Sequence, residues 1–436
     1  MRKILFLTFL PVIALKGGEI SFSSLKTAAL DHSHRLKLRS IDTRIEESRL
    51  NTIYASLYPQ LSLGYSSEYS KSFDSTSSSS GNITVADMTI SPNTLYKNSL
   101  ALRLNYELYR FGTTLKQIEI SEKEISIKRL EECNEEVRLY QELLEHYASG
   151  QKADAENRHK TRMHSLRKEL YALKQRLYTA GKESRVSVGD EAIRLIDLER
   201  EIEKSKMTYE ENLIALSKLA HTDLDTDTTR LLPFEPLAPS IKNPDFDTVV
   251  QSRRYKEKIL QKNAEISMLQ RSQLPTVSLY SSYYLYGSDS HNGNDALNAI
   301  RPNSWNAGVS LRWSLFEGFK YRHESSRLGY ELQRLQEEYA LAKREFDYET
   351  QTKQQQIERL TLLTQNETDA LGQIRTKIAM TQRLRAQGEA DALSEVSVKL
   401  EGIERELTLE IEEIQKGYEA YALKLHHTEV ETCAMR

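Results

Sequence analysis

Leu100-Ala101-Leu102-Arg103-Leu104-Asn105-Tyr106-Glu107-Leu108-Tyr109 is the stretch that decides the fold of this chain. Apolar side chains fill every second position from Leu100 to Leu108, while Arg103, Asn105 and Glu107 take positions between them. A period of two puts the two sets on opposite faces of a β-strand. The strand ends on Leu108-Tyr109, and Leu315-Phe316 repeats that ending 207 positions later. Gly181 recurs as Gly388 at the same offset, so both copies keep one interval between strand and glycine. Duplication on this scale points to a pseudo-symmetric scaffold rather than a catalytic fold.

Each copy carries a second strand upstream. After Pro59, Leu61, Leu63 and Tyr65 alternate with Ser62, Gly64 and Ser66. After Pro275, Val277, Leu279, Tyr283 and Leu285 keep one phase, and Val309, Leu311, Trp313 and Leu315 face away from Ser310, Arg312 and Ser314. This spacing predicts hairpins over 59–109 and 275–316, with polar loops from Ser70 to Lys97 and from Ser288 to Ser304. Aromatic residues crowd these strands and their ends; Tyr58, Tyr65, Tyr106, Tyr109, Trp313 and Phe316 form a candidate girdle. Amphipathic rings suit a water–lipid boundary. A soluble pair of hairpins on an ordinary core would alternate in the same way. The amino terminus tilts the reading: Arg2 and Lys3 precede an apolar run from Ile4 to Leu15, the pattern of a signal peptide over residues 1–18.

Each hairpin leads into a long helical pattern. Leu130, Cys133, Val137, Tyr140, Leu144 and Tyr147 step by threes and fours, as do Leu328, Leu332, Leu335, Tyr339, Ala342 and Phe346. That is the stripe of a coiled coil. Helices over 112–178 and 319–385 would each run about 100 Å at ~1.5 Å per residue. Glycine marks the turns, 180–190 and 387–397, and a return helix follows each. Pro233, Pro236, Pro239 and Pro244 define a linker, 223–244, between a first repeat over 19–222 and a second over 245–436.

Net charge is −3 with 28% charged residues of both signs interspersed, which leaves no electrostatic footprint for nucleic acid. Cys133 and Cys433 read as unpaired thiols, although export would permit a disulfide. His32 with His34, and His426 with His427, lack companion ligands and read as surface histidines. No catalytic, cofactor or metal site is expected, and the chain does not read as an enzyme.

Four strands per chain cannot close a barrel, and lipid does not tolerate an open edge. Two chains would supply eight strands and three would supply twelve, so closure must come from an oligomer. The fold class is mixed: a transmembrane β-barrel continuous with a long α-helical coiled-coil barrel. Arg103, Asn105 and Arg312 would line a wet lumen.

Leu25-Lys26-Thr27-Ala28-Ala29-Leu30, Tyr58-Pro59-Gln60-Leu61-Ser62-Leu63 and Leu274-Pro275-Thr276-Val277-Ser278-Leu279 carry a resemblance. So do Tyr106-Glu107-Leu108-Tyr109, Trp313-Ser314-Leu315-Phe316-Glu317-Gly318, Tyr178-Thr179-Ala180-Gly181 and Gly388-Glu389-Ala390-Asp391. In their order and doubling they resemble the TolC-type outer-membrane efflux proteins across nearly the whole mature chain. The resemblance implies a homotrimer with a twelve-stranded barrel in the outer membrane of a Gram-negative bacterium and a helical periplasmic tunnel. It also implies docking on a periplasmic adaptor (membrane fusion) protein and an inner-membrane pump of the RND, ABC or MFS class. The expected role is an exit duct for small molecules. A type I protein secretion duct, or a periplasmic coiled-coil structural or adaptor protein, stand as alternatives.

In that family the glycine turns mark the periplasmic tip. Aspartates six and nine residues past the second glycine commonly ring the entrance. Here Ser394 and Ser397 stand there, with Ser187 and Asp190 in the first copy. Residues that lock the closed tip in the family fall on Arg385 and Ala390, and alanine cannot make a salt bridge. Asp391 and Glu395 could supply a different acidic ring or be solvated turn charges. The resemblance therefore implies a more weakly locked and less cation-selective tip.

Overall fold

A computed structural model describes residues 18–70, 83–85, 88–90, 96–226, 228–236 and 245–428. The signal peptide, Pro239, Pro244 and Cys433 lie outside these residues, apart from Gly18. In chain order the elements are β1 (Glu19–Ile20), α1 (Phe22–His32), α2 (His34–Ala55), β2 (Gln60–Tyr69), β3 (Ile83–Val85), β4 (Met88–Ile90) and β5 (Tyr96–Tyr109). Then come α3 (Thr113–Thr179), α4 (Arg185–Ala220), β6 (Arg230–Leu231), α5 (Val250–Arg271), β7 (Thr276–Asp289), α6 (Gly293–Asn298), β8 (Arg301–Arg312), α7 (Lys320–Ala386) and α8 (Ala392–His426). They separate into two compact units: one from Asp42–Lys128 with Tyr255–Glu338, the other from the remaining segments.

The first of these holds a four-stranded sheet in the order β2-β5-β7-β8, every neighbouring pair antiparallel. The register carries each strand's alternation across the sheet. Leu63 lies opposite Leu102, then Tyr283, then Trp305; Ser62 lies opposite Arg103, then Ser282, then Asn306. Leu61, Leu63, Val309 and Leu311 remain exposed, so the apolar face has no cover within the chain.

Two loops are more ordered than polar sequence alone predicts. β3 and β4 pair antiparallel inside the first. In the second, Asn292 caps α6 by accepting from the Asn294 amide at 3.0 Å. A Cβ on Gly287 would lie 2.3 Å from the Ala296 carbonyl, so α6 rests directly on the end of β7. The buried Asn98 fixes that end: it accepts from the Tyr65 hydroxyl at 2.8 Å and donates to the Gly293 carbonyl at 3.3 Å. One expectation is corrected. β8 stops at Arg312, so Trp313 and Phe316 lie in the turn before α7 rather than on the strand. Trp313 Nε1 donates to the Gln273 carbonyl at 3.0 Å, drawing its backbone off the ladder.

Both strand-to-helix turns need two successive residues at positive φ. Phe111 and Gly112 supply them in the first copy (50° and 79°), Gly318 and Phe319 in the second (62° and 65°). The offset of 207 pairs Phe111 with Gly318 and Gly112 with Phe319. The backbone is kept while the residue order is reversed, and each turn holds one strained phenylalanine.

In the helical unit, α1 begins where Ser21 accepts from the Ser24 amide at 3.2 Å. Its apolar side joins Leu139, Leu143, Leu144 and Tyr147 of α3 with Leu213 and Leu216 of α4 in one core. β1 pairs in parallel with β6, Ile20 opposite Leu231. The buried Tyr147 hydroxyl lies 2.6 Å from the Leu232 carbonyl and 3.0 Å from that of Ile20, tying both strands to α3. Phe22, Tyr147, Phe234 and Tyr421 pack edge-on or tilted with centroids 5.3 to 6.1 Å apart. The proline-rich linker is therefore a structural clasp over residues 228–236. Cys133 is disulfide-bonded, which corrects the reading of unpaired thiols. His426 and His427 are not surface histidines: both pack on Phe346, and His427 is buried.

Candidate functional site

The tip turns arise from matching backbone bonds. At the end of α3 the Gly181 amide donates to the Tyr178 carbonyl at 2.9 Å and Lys182 to Leu177 at 2.8 Å. At the end of α7, Gly388 donates to Arg385 at 3.1 Å and Glu389 to Leu384 at 2.9 Å. These paired bonds satisfy the last helical carbonyls and require a left-handed residue. Gly181 and Gly388 supply it at φ 73° and 81°. The cap of the next helix stands three residues after the glycine in each copy. Ser184 caps α4 by accepting from the Ser187 amide at 3.1 Å; Asp391 caps α8 by accepting from Ser394 at 2.8 Å.

The candidate tip residues then take distinct positions. Asp190, Ser394 and Ser397 are exposed on the first turns of α4 and α8, and Ser187 is half-buried. Asp391 is exposed, and hydrogen bonds from the Ser394 side chain and amide hold its carboxyl below the usual range. Glu395 is buried, with one oxygen 2.7 Å from Lys399 Nζ and the other paired with Arg385. Lys399, then Arg385, draws its carboxyl down to about 2. Glu395 is thus spoken for inside its own chain, while Asp391 presents a free edge.

A second clamp lies in the first copy. Glu191 on α4, fully buried, pairs with Arg167 at 3.0 Å and Lys174 at 3.2 Å, both on α3. Sequence reasoning passed over it because the 207 offset leads to Val398, which cannot ionise. Its signal was phase: Glu191 sits seven residues before the buried Leu198, on the stripe that faces α3. A buried carboxylate persists there only because two cations meet it.

On the sheet, Tyr58, Tyr65, Tyr109, Trp313 and Phe316 are exposed and Tyr106 half-buried. Tyr109 meets Phe111 at one end, with centroids 4.7 Å apart, and Tyr69 meets Tyr96 at the other, 4.9 Å apart. From the level of Tyr106 to that of Tyr96 is about 33 Å along the strand at ~3.3 Å per residue. A tilt of about 40° reduces this to ~25 Å of height, the depth of an apolar barrel band. Arg103, Asn105 and Arg312 all lie exposed on the opposite, polar face. Among the described residues no helix is long and apolar enough to cross a membrane. Nor does any group of three or more His, Cys, Asp or Glu among them have the geometry of a metal site.

The family described as outer membrane efflux protein matches residues 28–220. No curated protein matches the sequence. Among solved structures the chain is similar to CusC, with 14% identity, a TM-score of 0.73, and 92% of this chain and 91% of that one covered. It is similar to the Campylobacter jejuni CmeC outer membrane channel at 14% identity and TM-score 0.74, over 93% and 85% of the two chains. The Vibrio cholerae outer membrane protein VceC gives 15%, 0.72, and coverage of 93% and 94%. Over those shares of the chain the fold is that of these proteins.

Proposed function

We propose that this chain is a member of the TolC-type outer-membrane efflux proteins and serves as the outer-membrane exit duct of a tripartite export system. One observation carries the reading: a sheet with one exposed apolar face and two unpaired edges, β2 and β8. Hydrocarbon accepts the face but not the edges, because each open ladder leaves amides and carbonyls without partners. Three copies joined edge to edge give twelve strands and a closed ring. The polar face then turns inward around water. The likeness to the Campylobacter jejuni CmeC outer membrane channel supports the same reading.

The helical unit and its tips belong to the periplasm, where a periplasmic adaptor and an inner-membrane pump would meet them. Small toxic solutes are the proposed cargo. The chain's part is passive: it supplies a water-filled path while the pump supplies the energy and selects the solute.

The test is the mass of the detergent-solubilised protein, with a transport measurement beside it. Native mass spectrometry should give three chains per particle, and a strain lacking the gene should accumulate a fluorescent dye until the gene is restored. A compact, stable monomer would overturn the reading.

A further inference from the structure

The polar face of the sheet is electrically unbalanced. Glu68, Lys97, Arg103, Glu107, Arg301 and Arg312 are the charged residues at its strand positions among the described residues. Glu68 stands opposite Lys97 in the register, so those charges offset each other. Glu107 is taken by Arg110. Arg103, Arg301 and Arg312 are left exposed, with no carboxylate at ion-pair distance among the described residues. On β7 they lie level with Ser282, Tyr286 and Thr276 respectively. At ~3.3 Å per residue this spaces them about 13 Å and about 20 Å apart along the sheet.

Tyrosines share this face. Tyr280, Tyr284 and Tyr286 all point to it from β7, and Arg103 lies over the Tyr284 ring at 5.9 Å. Tyr280 crosses to β8, where a Cβ on Gly308 would come within 2.7 Å of its hydroxyl; glycine there lets the ring lie flat along the wall. A guanidinium beside aromatic faces offers an anion a charge and offers a planar solute a surface to stack on.

We propose that this face makes the duct prefer anions, and anionic aromatic solutes above all, with Arg103 as the residue that sets the preference at mid-barrel. The inference rests on the duct reading, since only closure turns this face into a lumen. Threefold repetition would place three copies of each arginine around one aqueous path bounded by a low-dielectric wall. Such a wall concentrates the field, and the local excess of counter-ions rises with it. Salt limits each ring to a reach of about 8 Å at physiological strength. The rings therefore act as successive stations rather than one diffuse potential.

Currents through single reconstituted particles under a tenfold KCl gradient test this. The wild type should pass chloride in preference to potassium by about threefold or more, less than the roughly tenfold floor of field enrichment in a charged cleft because salt screens a wide aqueous path. Arg103→Gln should reduce that ratio by at least about half, and Arg103→Glu should reverse it. 1-Naphthalenesulfonate added from the loop side should block the wild-type current, and block Arg103→Gln about tenfold less well. A naphthyl trimethylammonium ion should block neither. A potassium-preferring wild type, or a ratio indifferent to residue 103, overturns the inference and leaves the duct intact. Ring-shaped particles that pass no current at all would remove both.

Discussion

The carboxylate of Glu395 lies 2.7 Å from Lys399 Nζ, one helical turn further along α8, and its other oxygen takes Arg385 of α7. The second tip is thereby fastened by three side chains of one chain. Glu395→Gln keeps the shape and removes the charge. Because Arg385 is half exposed, the loss should be modest, about 1 kcal/mol or less. Hydrogen exchange should speed up over residues 384–396 and stay unchanged around Gly181. Equal acceleration at both tips would show that the clamp does not act locally.

Acid should loosen the helical unit in two stages. Burial, then His426, pushes the His427 imidazole down to about 4 from an ordinary 6.5. Unfolded chains take up that proton first, so stability present above 6.5 is lost as pH falls towards 4. Glu395 follows: its contribution is full above 4.5 and lost as pH falls through about 2. Thermal melting between pH 7.5 and 3 should decline throughout, and His427→Gln should shrink the decline above pH 4 to the part that the half-buried His426 contributes. A melting point that rises on acidification contradicts both assignments.

Asp391 combines a cap and a charge, and substitutions separate them. Asp391→Asn keeps an acceptor for the Ser394 amide, and Ser184 shows that a hydroxyl serves equally at the matching site. Asp391→Ala should cost about 1 kcal/mol of local stability. Asp391→Asn should cost little yet alter ion selectivity if three copies ring the entrance. Unchanged selectivity would leave Asp391 as a cap alone.

Nothing lies within 4 Å of a Cβ built on Gly181 or Gly388. Replacing either with alanine therefore meets no clash and costs only the left-handed backbone, about 1–2 kcal/mol. Because the helices leading from the two turns share one apolar cluster, a double variant followed by hydrogen exchange should cost the sum of the two only if each turn acts alone.

Tyr147→Phe removes the one hydroxyl shared by the Ile20 and Leu232 carbonyls. Each carbonyl keeps one other donor, the Leu232 amide on Ile20 and the Gln151 side chain on Leu232, so the loss should be that of one ordinary hydrogen bond, about 0.5–1.5 kcal/mol. Limited proteolysis should then cut within residues 228–236. Resistance equal to the wild type would mean that the packing of Phe22 and Phe234 suffices alone.

The alternation in Leu100–Leu108 was legible because one residue per step decides a face, and the register carried it across four strands. The tip turns were legible because only glycine tolerates their backbone cheaply. By contrast, α6 was hidden: six residues headed by Gly293 carry no periodicity, and their order comes from resting on Gly287. The pairing of β1 with β6 joins residues over two hundred positions apart through two residues each. Glu191 and Glu395 look like surface charges in the sequence, because their burial depends on which cations a neighbouring helix brings. The adjacent histidines at 426 and 427 misled for the same reason: Phe346 covers them from a distant part of the chain.

β2 and β8 leave their outer ladders bare in the single chain. If three copies close the ring, each molecule travels before that with two adhesive borders, each able to template the wrong neighbour. Its biogenesis is thus a race between productive encounter and clumping, decided by abundance and by whatever escorts it to the bilayer. Overproduction should favour the clumps.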